Sequence, residues 1–230
     1  MIKGDKRKQE ILSTAEELFC RKGYEQTSVQ DIIDRLKTSK GSFYHHFSSK
    51  ESLLEGICGI RAEKNYTLAL EEAEKTGSIV RKLDICLAGM IPISNEKISF
   101  ILMLLPVFRL PEGRTVRQYY CDALSGRFHG IVSGLLESGH LSGELYCTDP
   151  ENSAALILST VNLLWCRITD SIIEAESHQR AADLAECLRL ADCCRKNIER
   201  SVSVPFGSIS LISLPELRLL SEQIHNHWER

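Results

Sequence analysis

The sequence has few of the residues that interrupt helices. Six prolines occur in 230 residues, and no segment shows the sustained apolar–polar alternation of a half-buried strand. Between the breaks, apolar residues recur every three or four positions, which is the period of an amphipathic helix. The chain is therefore predicted to be all-α.

Long apolar runs and a secretory start are also missing. No eighteen consecutive residues are apolar, so no membrane span is expected. Met1 is followed by charged residues instead of an apolar segment, which argues against a signal peptide. We therefore expect a cytoplasmic protein.

The nine cysteines lack the spacing of a disulfide framework or a zinc site. They are odd in number and scattered, and no Cys-x-x-Cys pair occurs. We expect reduced, mostly buried thiols, with no metal and no cofactor. Cys187, Cys193 and Cys194 come nearest to a thiol cluster, which leaves a thiol-based redox sensor open as an alternative function.

Motifs typical of enzymes are absent too. The sequence has no Gly-x-Ser-x-Gly elbow, phosphate-binding loop, His-Glu-x-x-His or dinucleotide-binding glycine pattern. No enzymatic activity is expected. Two classes remain, namely a DNA-binding regulator and a helical protein-interaction module that keeps a helix-turn-helix only as a scaffold.

Positive charge is concentrated near the N-terminus although the chain carries a net charge of −3. Residues 1–50 hold ten Lys and Arg and seven Asp and Glu, whereas the rest holds 18 and 24. A locally basic face is what binding to DNA phosphates requires. Lys3, Lys6, Arg7 and Lys8 form either an N-terminal arm or the solvated start of the first helix.

Residues 27–50 predict two short helices joined by a three-residue turn. The first is predicted to begin with a cap at Thr27 and to bury Ile32 and Ile33. The turn is Lys37–Ser39, and the second helix spans about 40–47. This layout is typical of a helix-turn-helix that reads DNA.

The second of these helices has two distinct faces. Phe43 and Phe47 lie four residues apart and are predicted to anchor it in the core. Another arc presents an ammonium, a bare backbone, a phenol and an imidazole. Lysine can bond the guanine edge, and glycine lets the helix approach a groove wall closely. The residues of this arc are Lys40, Gly41, Tyr44 and His45.

Four segments together resemble the N-terminal domain of the TetR family, the tetracycline-repressor-like bacterial transcription regulators. The resemblance covers about residues 6–58, roughly a quarter of the chain. The segments that carry it are 15–24, Thr27 with Ile32 and Ile33, 39–47 and 49–51.

The resemblance implies roles for individual residues. Lys40, Gly41, Tyr44 and His45 occupy positions that face bases or the groove wall. His45 departs from the family pattern, because many relatives carry Tyr or Trp there. The positions that hold phosphates are occupied by Thr27, Thr38, Ser39, Ser42, His46 and Lys50.

Residues 1–50 are predicted to form the helix-turn-helix domain and 51–230 a larger helical domain for ligand sensing and dimerisation. Helices are predicted at about 53–75, 78–90, 95–109, 112–138, 149–176, 178–201 and 215–228. The helix 149–176 is apolar on more than one side, so it needs more than one partner. The resemblance implies that it forms, with 178–201, a four-helix bundle across the two-fold axis of a homodimer.

The resemblance also implies a pocket for a small-molecule effector in the larger domain, with a few polar groups among apolar walls. The expected function is a sequence-specific transcription regulator, a repressor that its ligand releases from double-stranded operator DNA. The candidate ligand-binding residues are Phe100, Met103, Phe108, Tyr120, Phe128, His129, Asn162 and Trp165.

Overall fold

The computed structural model describes residues 3–92, 95–108 and 113–228. Within these residues there are ten helices and no strand, and the predicted all-α class is confirmed. The helices are α1 (Lys3–Lys22), α2 (Val29–Leu36), α3 (Lys40–His46), α4 (Lys50–Ala73), α5 (Ile79–Met90), α6 (Asn95–Phe108), α7 (Gly113–Ser142), α8 (Pro150–Ser177), α9 (Leu184–Ser201) and α10 (Leu214–Trp228).

The predicted helices are present, but two of them begin later than expected. Ser28 is the cap of α2 instead of Thr27, because the Ser28 hydroxyl accepts a hydrogen bond from the Asp31 amide at 3.1 Å. The α9 helix begins at Leu184 instead of residue 178, because Asp183 accepts from the Glu186 amide at 2.9 Å and so caps the helix. In both cases a neighbouring side chain with a suitable oxygen supplies the cap.

The chain folds into two compact units. The first contains Met1–Arg61 and Ser99–Tyr120, and the second contains Ala62–Ile98 and Cys121–Arg230. The α4, α6 and α7 helices are therefore each divided between the two units. The division at residue 50 stays a prediction.

The first unit is built on the apolar face of α1, which packs against α2. Ile11, Ala15 and Phe19 are fully buried, and the Phe19 ring meets the Tyr24 ring edge to face at a centroid distance of 5.0 Å. Gly23 ends α1 with a φ of +87°, a left-handed conformation that glycine adopts without strain. The short helix α3 belongs to the same unit as this core.

The second unit is organised around α8, which packs against α5, α9 and α10. Among the described residues, one helical stretch, Pro150–Ala175, is long and apolar enough to cross a membrane by length and composition. Half of its most apolar eighteen-residue window is buried within the protein. A core helix of a globular domain has the same composition, so this is weak evidence for a span.

Two buried carboxylates hold the segment between α9 and α10. Glu199 accepts hydrogen bonds from the Gly207 amide at 2.8 Å and the Ile209 amide at 3.0 Å, and it pairs with Arg195 at 2.7 Å. Asp84 of α5 accepts from the Ser210 amide at 2.6 Å. Each buried charge is thus met by several donors, as burial of a carboxylate demands.

Candidate nucleic-acid interface

The α3 helix separates a buried face from an exposed one. Phe43 and Phe47 are buried, with ring centroids 6.3 Å apart, so the predicted anchor is confirmed. On the other side, Tyr44 is 54% exposed, although its ring packs edge to face against the Phe43 ring at a centroid distance of 5.3 Å. The packing therefore fixes the orientation of α3 while leaving the Tyr44 phenol directed to solvent.

The exposed face of α3 is polar and cationic. A Cβ built at Gly41 would meet nothing within 4 Å, so open space lies over this part of the helix. Within the described part of the chain, no carboxylate pairs with Lys40 or with the exposed Lys37. The predicted residues that lie exposed on or beside α3 are Ser39, Lys40, Gly41, Tyr44 and His45.

Local hydrogen bonds set the angle between α2 and α3. Lys37 closes α2 in the left-handed conformation with a φ of 50°, and its amide donates to Asp34 O at 3.1 Å. Ser39 then caps α3 by accepting from the Ser42 amide at 3.1 Å. A left-handed residue followed by a cap reverses the chain within three residues, which gives the compact turn of the motif.

A charged residue, Asp31, completes the cap of α2, because its carboxylate accepts from the Ser28 amide at 2.8 Å. The Ser28 amide and hydroxyl, followed by the Lys22 ammonium, hold the pKa of the Asp31 carboxyl well below its usual range. Asp31 is therefore ionised at neutral pH, where it also suits the N-terminal end of the helix. Its stabilising contribution is complete above the ordinary carboxylate pKa and is lost as pH falls through the lowered value.

Two of the predicted phosphate contacts have other partners. Thr27 is fully buried, and its hydroxyl donates to Gly23 O at 2.8 Å, so we leave it out of the interface. Lys50 donates to Tyr24 O at 2.9 Å and its ammonium lies 4.1 Å from the centre of the Tyr24 ring. Lys50 therefore stabilises the turn at Tyr24 after α1, in addition to any contact with phosphate.

Other predicted phosphate contacts, Thr38, Ser42 and His46, are half-buried beside the exposed face. Two exposed residues that the pattern did not select, Ser28 and Lys37, are further candidates for phosphate contacts. Their positions in the motif could have selected them from the sequence, because Ser28 caps α2 and Lys37 lies in the turn before α3.

The basic residues at the N-terminus belong to α1, which begins at Lys3. Of the two alternatives, an N-terminal arm and the start of the first helix, the structure agrees with the second. Arg7 pairs with Glu10 at 2.8 Å, and the Lys8 ammonium lies 5.8 Å from the Phe47 ring centre. These contacts place Lys8 beside the anchor of α3.

Half of the predicted ligand-binding residues belong to the first unit, namely Phe100, Met103, Phe108 and Tyr120. Phe100 and Tyr120 are buried, and their rings meet edge to face at a centroid distance of 5.2 Å. The Arg117 guanidinium lies 4.7 Å from the Phe108 ring centre. These rings pack against other side chains of the same unit.

The other half belongs to the second unit, namely Phe128, His129, Asn162 and Trp165. Trp165 is fully buried and donates from Nε1 to Asn162 Oδ1 at 3.1 Å. Asn162 Nδ2 donates to Ser125 Oγ at 2.9 Å and to Cys121 O at 3.2 Å. The amide that was expected to hold a ligand therefore joins α8 to α7.

A cavity of about 540 Å³ lies elsewhere in the second unit, between the turn after α8 and α10. It contains none of the predicted ligand-binding residues. Its lining is Gln179, Arg180, Ala181, Ala182, Leu184, Ser221, Glu222 and His225. The ligand site stays a prediction.

Comparison with known proteins identifies the helix-turn-helix unit. Residues 11–57, from α1 into α4, match the family described as bacterial regulatory proteins, tetR family. This part of the chain is therefore similar to the TetR family. The chain is 32% identical over 120 residues to the HTH-type transcriptional regulator YerO of Bacillus subtilis, which is itself uncharacterised. That match covers 50% of this chain and 41% of YerO, so the chain spans less than half the length of this relative.

A solved structure extends the likeness to most of the chain. It is described as a TetR-family transcriptional regulator from Mesorhizobium loti and has a TM-score of 0.57 at 17% identity. The match covers 88% of this chain and 99% of that one. At this identity the likeness establishes the fold, an N-terminal helix-turn-helix followed by a larger helical part.

Proposed function

We propose that this chain is a sequence-specific DNA-binding transcription regulator, acting as a cytoplasmic repressor that a small molecule releases from its operator. The exposed face of α3 carries the proposal. Lys40, Tyr44 and His45 offer hydrogen-bonding groups to a groove of DNA. Gly41 has no side chain, so it allows the helix to approach the groove closely. The buried Phe43 and Phe47 hold that face in place, so base contacts are made without reordering the helix.

The protein acts as a homodimer in this proposal, because one short helix reads too few base pairs. Two heads roughly 34–36 Å apart, or a multiple of that distance, read a palindrome. Two exposed leucines on α8 support the proposal that a second copy packs against this helix. They are Leu156 and Leu163, which are 71% and 56% exposed and lie seven residues apart on one face. The opposite face of α8 is already buried in its own chain.

Sensing is assigned to the larger helical part. The TetR-fold regulator FadR of Bacillus subtilis is described in complex with stearoyl-CoA, and it has a TM-score of 0.53 at 18% identity, covering 81% of this chain and 96% of its own. By analogy, we infer an effector site in this chain. A ligand that prefers one spacing of the two reading heads shifts the population between DNA-compatible and incompatible states.

The alternative functions have less support. A scaffold used for protein interaction would favour an apolar outer face on α3, whereas that face is polar. Within the described residues, no hydrogen bond joins the sulfurs of Cys187, Cys193 and Cys194, which were considered for redox sensing, and Cys193 Sγ accepts instead from Asn197 Nδ2 at 3.6 Å. Burial raises the pKa of Cys187 and Cys194, which makes the reactive thiolate form scarcer.

Gly41→Ala tests the reading helix by separating stability from binding. The new methyl meets no protein atom, so we expect the free energy of unfolding to rise by about 0.5–1 kcal/mol, the usual helix preference for alanine. The same methyl occupies the space of a groove wall, so affinity for the operator should fall on the order of tenfold. Thermal unfolding and fluorescence anisotropy with DNA from upstream of the protein's own gene measure the two effects.

The matched control is Gly126→Ala. Gly126 is an exposed glycine in α7 where an added Cβ also meets nothing within 4 Å. It should gain stability without losing DNA affinity. If wild type binds the upstream fragment no better than unrelated DNA of equal length and salt concentration, the regulator proposal is wrong. Equal operator affinity of Gly41→Ala and wild type would reject close approach of α3.

The sensing part is tested in the same anisotropy assay. Stearoyl-CoA and a panel of smaller apolar compounds serve as probes, and the emission of buried Trp165 reports binding to the predicted region. We expect an effector to lower operator affinity about 5- to 150-fold, which corresponds to a coupling of roughly 1–3 kcal/mol. Constant operator affinity at saturation with a compound that binds would argue against sensing.

A further inference from the structure

Two cysteine side chains from different helices meet in the second unit. The Sγ of Cys121 in α7 lies 3.6 Å from the Sγ of Cys166 in α8. A disulfide bond is about 2.05 Å long, so the sulfurs need to approach by roughly 1.6 Å. We expect rotation about the Cα–Cβ bonds of the two residues to supply this movement.

The helices that carry this pair are already held together at the same level. Asn162 of α8 donates to the backbone oxygen of Cys121 at 3.2 Å, and Trp165, next to Cys166, donates to Asn162 at 3.1 Å. Thr169 donates to Cys166 O at 2.9 Å. The thiols are thus kept close by a network that does not involve the sulfurs.

Access differs between the two thiols. Cys121 is buried, whereas Cys166 is half-buried and reaches the surface of α8. A partly accessible attacking thiol with a sheltered neighbour is an arrangement in which oxidation ends in a disulfide instead of a higher oxide. We propose that Cys121 and Cys166 form a dithiol site that hydrogen peroxide converts into a reversible disulfide.

The chemistry balances with peroxide as the two-electron oxidant. The Cys166 thiolate attacks one peroxide oxygen, the O–O bond breaks, and the hydroxide that leaves takes up a proton to become water. The resulting sulfenic acid is attacked by the Cys121 sulfur, which forms the S–S bond and releases a second water. Two thiols and one peroxide thus give one disulfide and two waters.

The cross-link would join α7 to α8 beside two predicted ligand-binding residues. Cys121 directly follows Tyr120, and Cys166 directly follows Trp165. A covalent bond here fixes the register of the two helices. The proposal goes beyond DNA binding, and its test needs no DNA, so its failure and that of the regulator function are distinguishable.

The test treats reduced, folded protein with hydrogen peroxide, alkylates the remaining thiols and digests it with trypsin without reduction. Trypsin cuts after Arg127, between the two cysteines, so their peptides stay joined only through the new bond. Mass spectrometry should find this pair, two hydrogens lighter, and a thiol reductant should separate it. Closing a loop of this length should also raise Tm by roughly 5–10 °C until reduction.

Cys166→Ser and Cys193→Ser are the matched variants, since the second removes an exposed thiol from α9. Cross-linking and the rise in Tm should be lost in Cys166→Ser and kept in Cys193→Ser. If Cys121 and Cys166 of wild type both remain open to alkylation after peroxide, the proposal is overturned. A disulfide that joins only other cysteines, or only two copies of the chain, overturns it too.

Discussion

Replacing Leu156 and Leu163 together by glutamate should convert the proposed dimer into monomers and lower affinity for a palindromic operator roughly 10²–10⁴-fold, the usual gain from linking two binding sites. The two leucines are exposed on one face of α8 in the single chain. In a two-fold interface the same patch serves both partners, so each substitution brings like charges together. The opposite face of α8 is untouched, so the fold should survive.

Sedimentation of the variant and anisotropy with the operator measure the two losses. Leu141→Glu is the control, because Leu141 is 80% exposed but lies at the end of α7. It should stay dimeric and bind normally. A wild-type protein that is monomeric near 26 kDa at micromolar concentration while binding its operator tightly would contradict the assembly. Equal dissociation by Leu141→Glu would place the interface elsewhere.

The choice of these leucines depends on the structure. Val161 and Leu188 also belong to the two helices predicted to form the bundle, but they are poorer sites for the test. Val161 is fully buried in its own chain, so a glutamate there would bury an unpaired charge and unfold the protein. Leu188 is half-buried, so it would test folding and assembly together.

Tyr44→Ala and Lys40→Ala should each weaken operator binding about 5- to 150-fold while leaving unfolding unchanged. A good base contact is worth roughly 1–3 kcal/mol, which corresponds to this range. Both side chains are exposed, and the anchor made by Phe43 and Phe47 does not depend on them. If Lys40 neutralises a phosphate, its loss should also lower the salt dependence of binding by about one charge.

Anisotropy over a series of salt concentrations, beside thermal unfolding, separates these effects. Tyr146→Ala is the matched control, because Tyr146 is 57% exposed but belongs to the second unit. It should bind DNA as wild type does. Unchanged operator affinity in both Tyr44→Ala and Lys40→Ala would defeat the assignment of α3. Lys50→Ala is a poorer probe, because its ammonium also fastens the Tyr24 corner.

Much of the reading head followed from the sequence because its determinants are local. The four-residue spacing of Phe43 and Phe47 predicted the buried side of α3, and the helix begins directly after Ser39, the last residue of the predicted turn. Both depend on groups within one helical turn, so a short window of sequence contains the whole cause. The left-handed stop at Gly23 is local in the same way.

Tertiary structure decided which polar groups are used inside the protein. Thr27 and Lys50 look like surface residues in sequence, yet one bonds buried backbone oxygens and the other joins a carbonyl 26 residues away. The Cys121–Cys166 pair and the bond from Ser210 to Asp84 span 45 and 126 residues. Periodicity and capping act over a few residues, whereas such meetings depend on how whole helices pack. The sequence by itself therefore determined the helices and the face proposed to read DNA, and only packing decided which side chains of that face stay exposed.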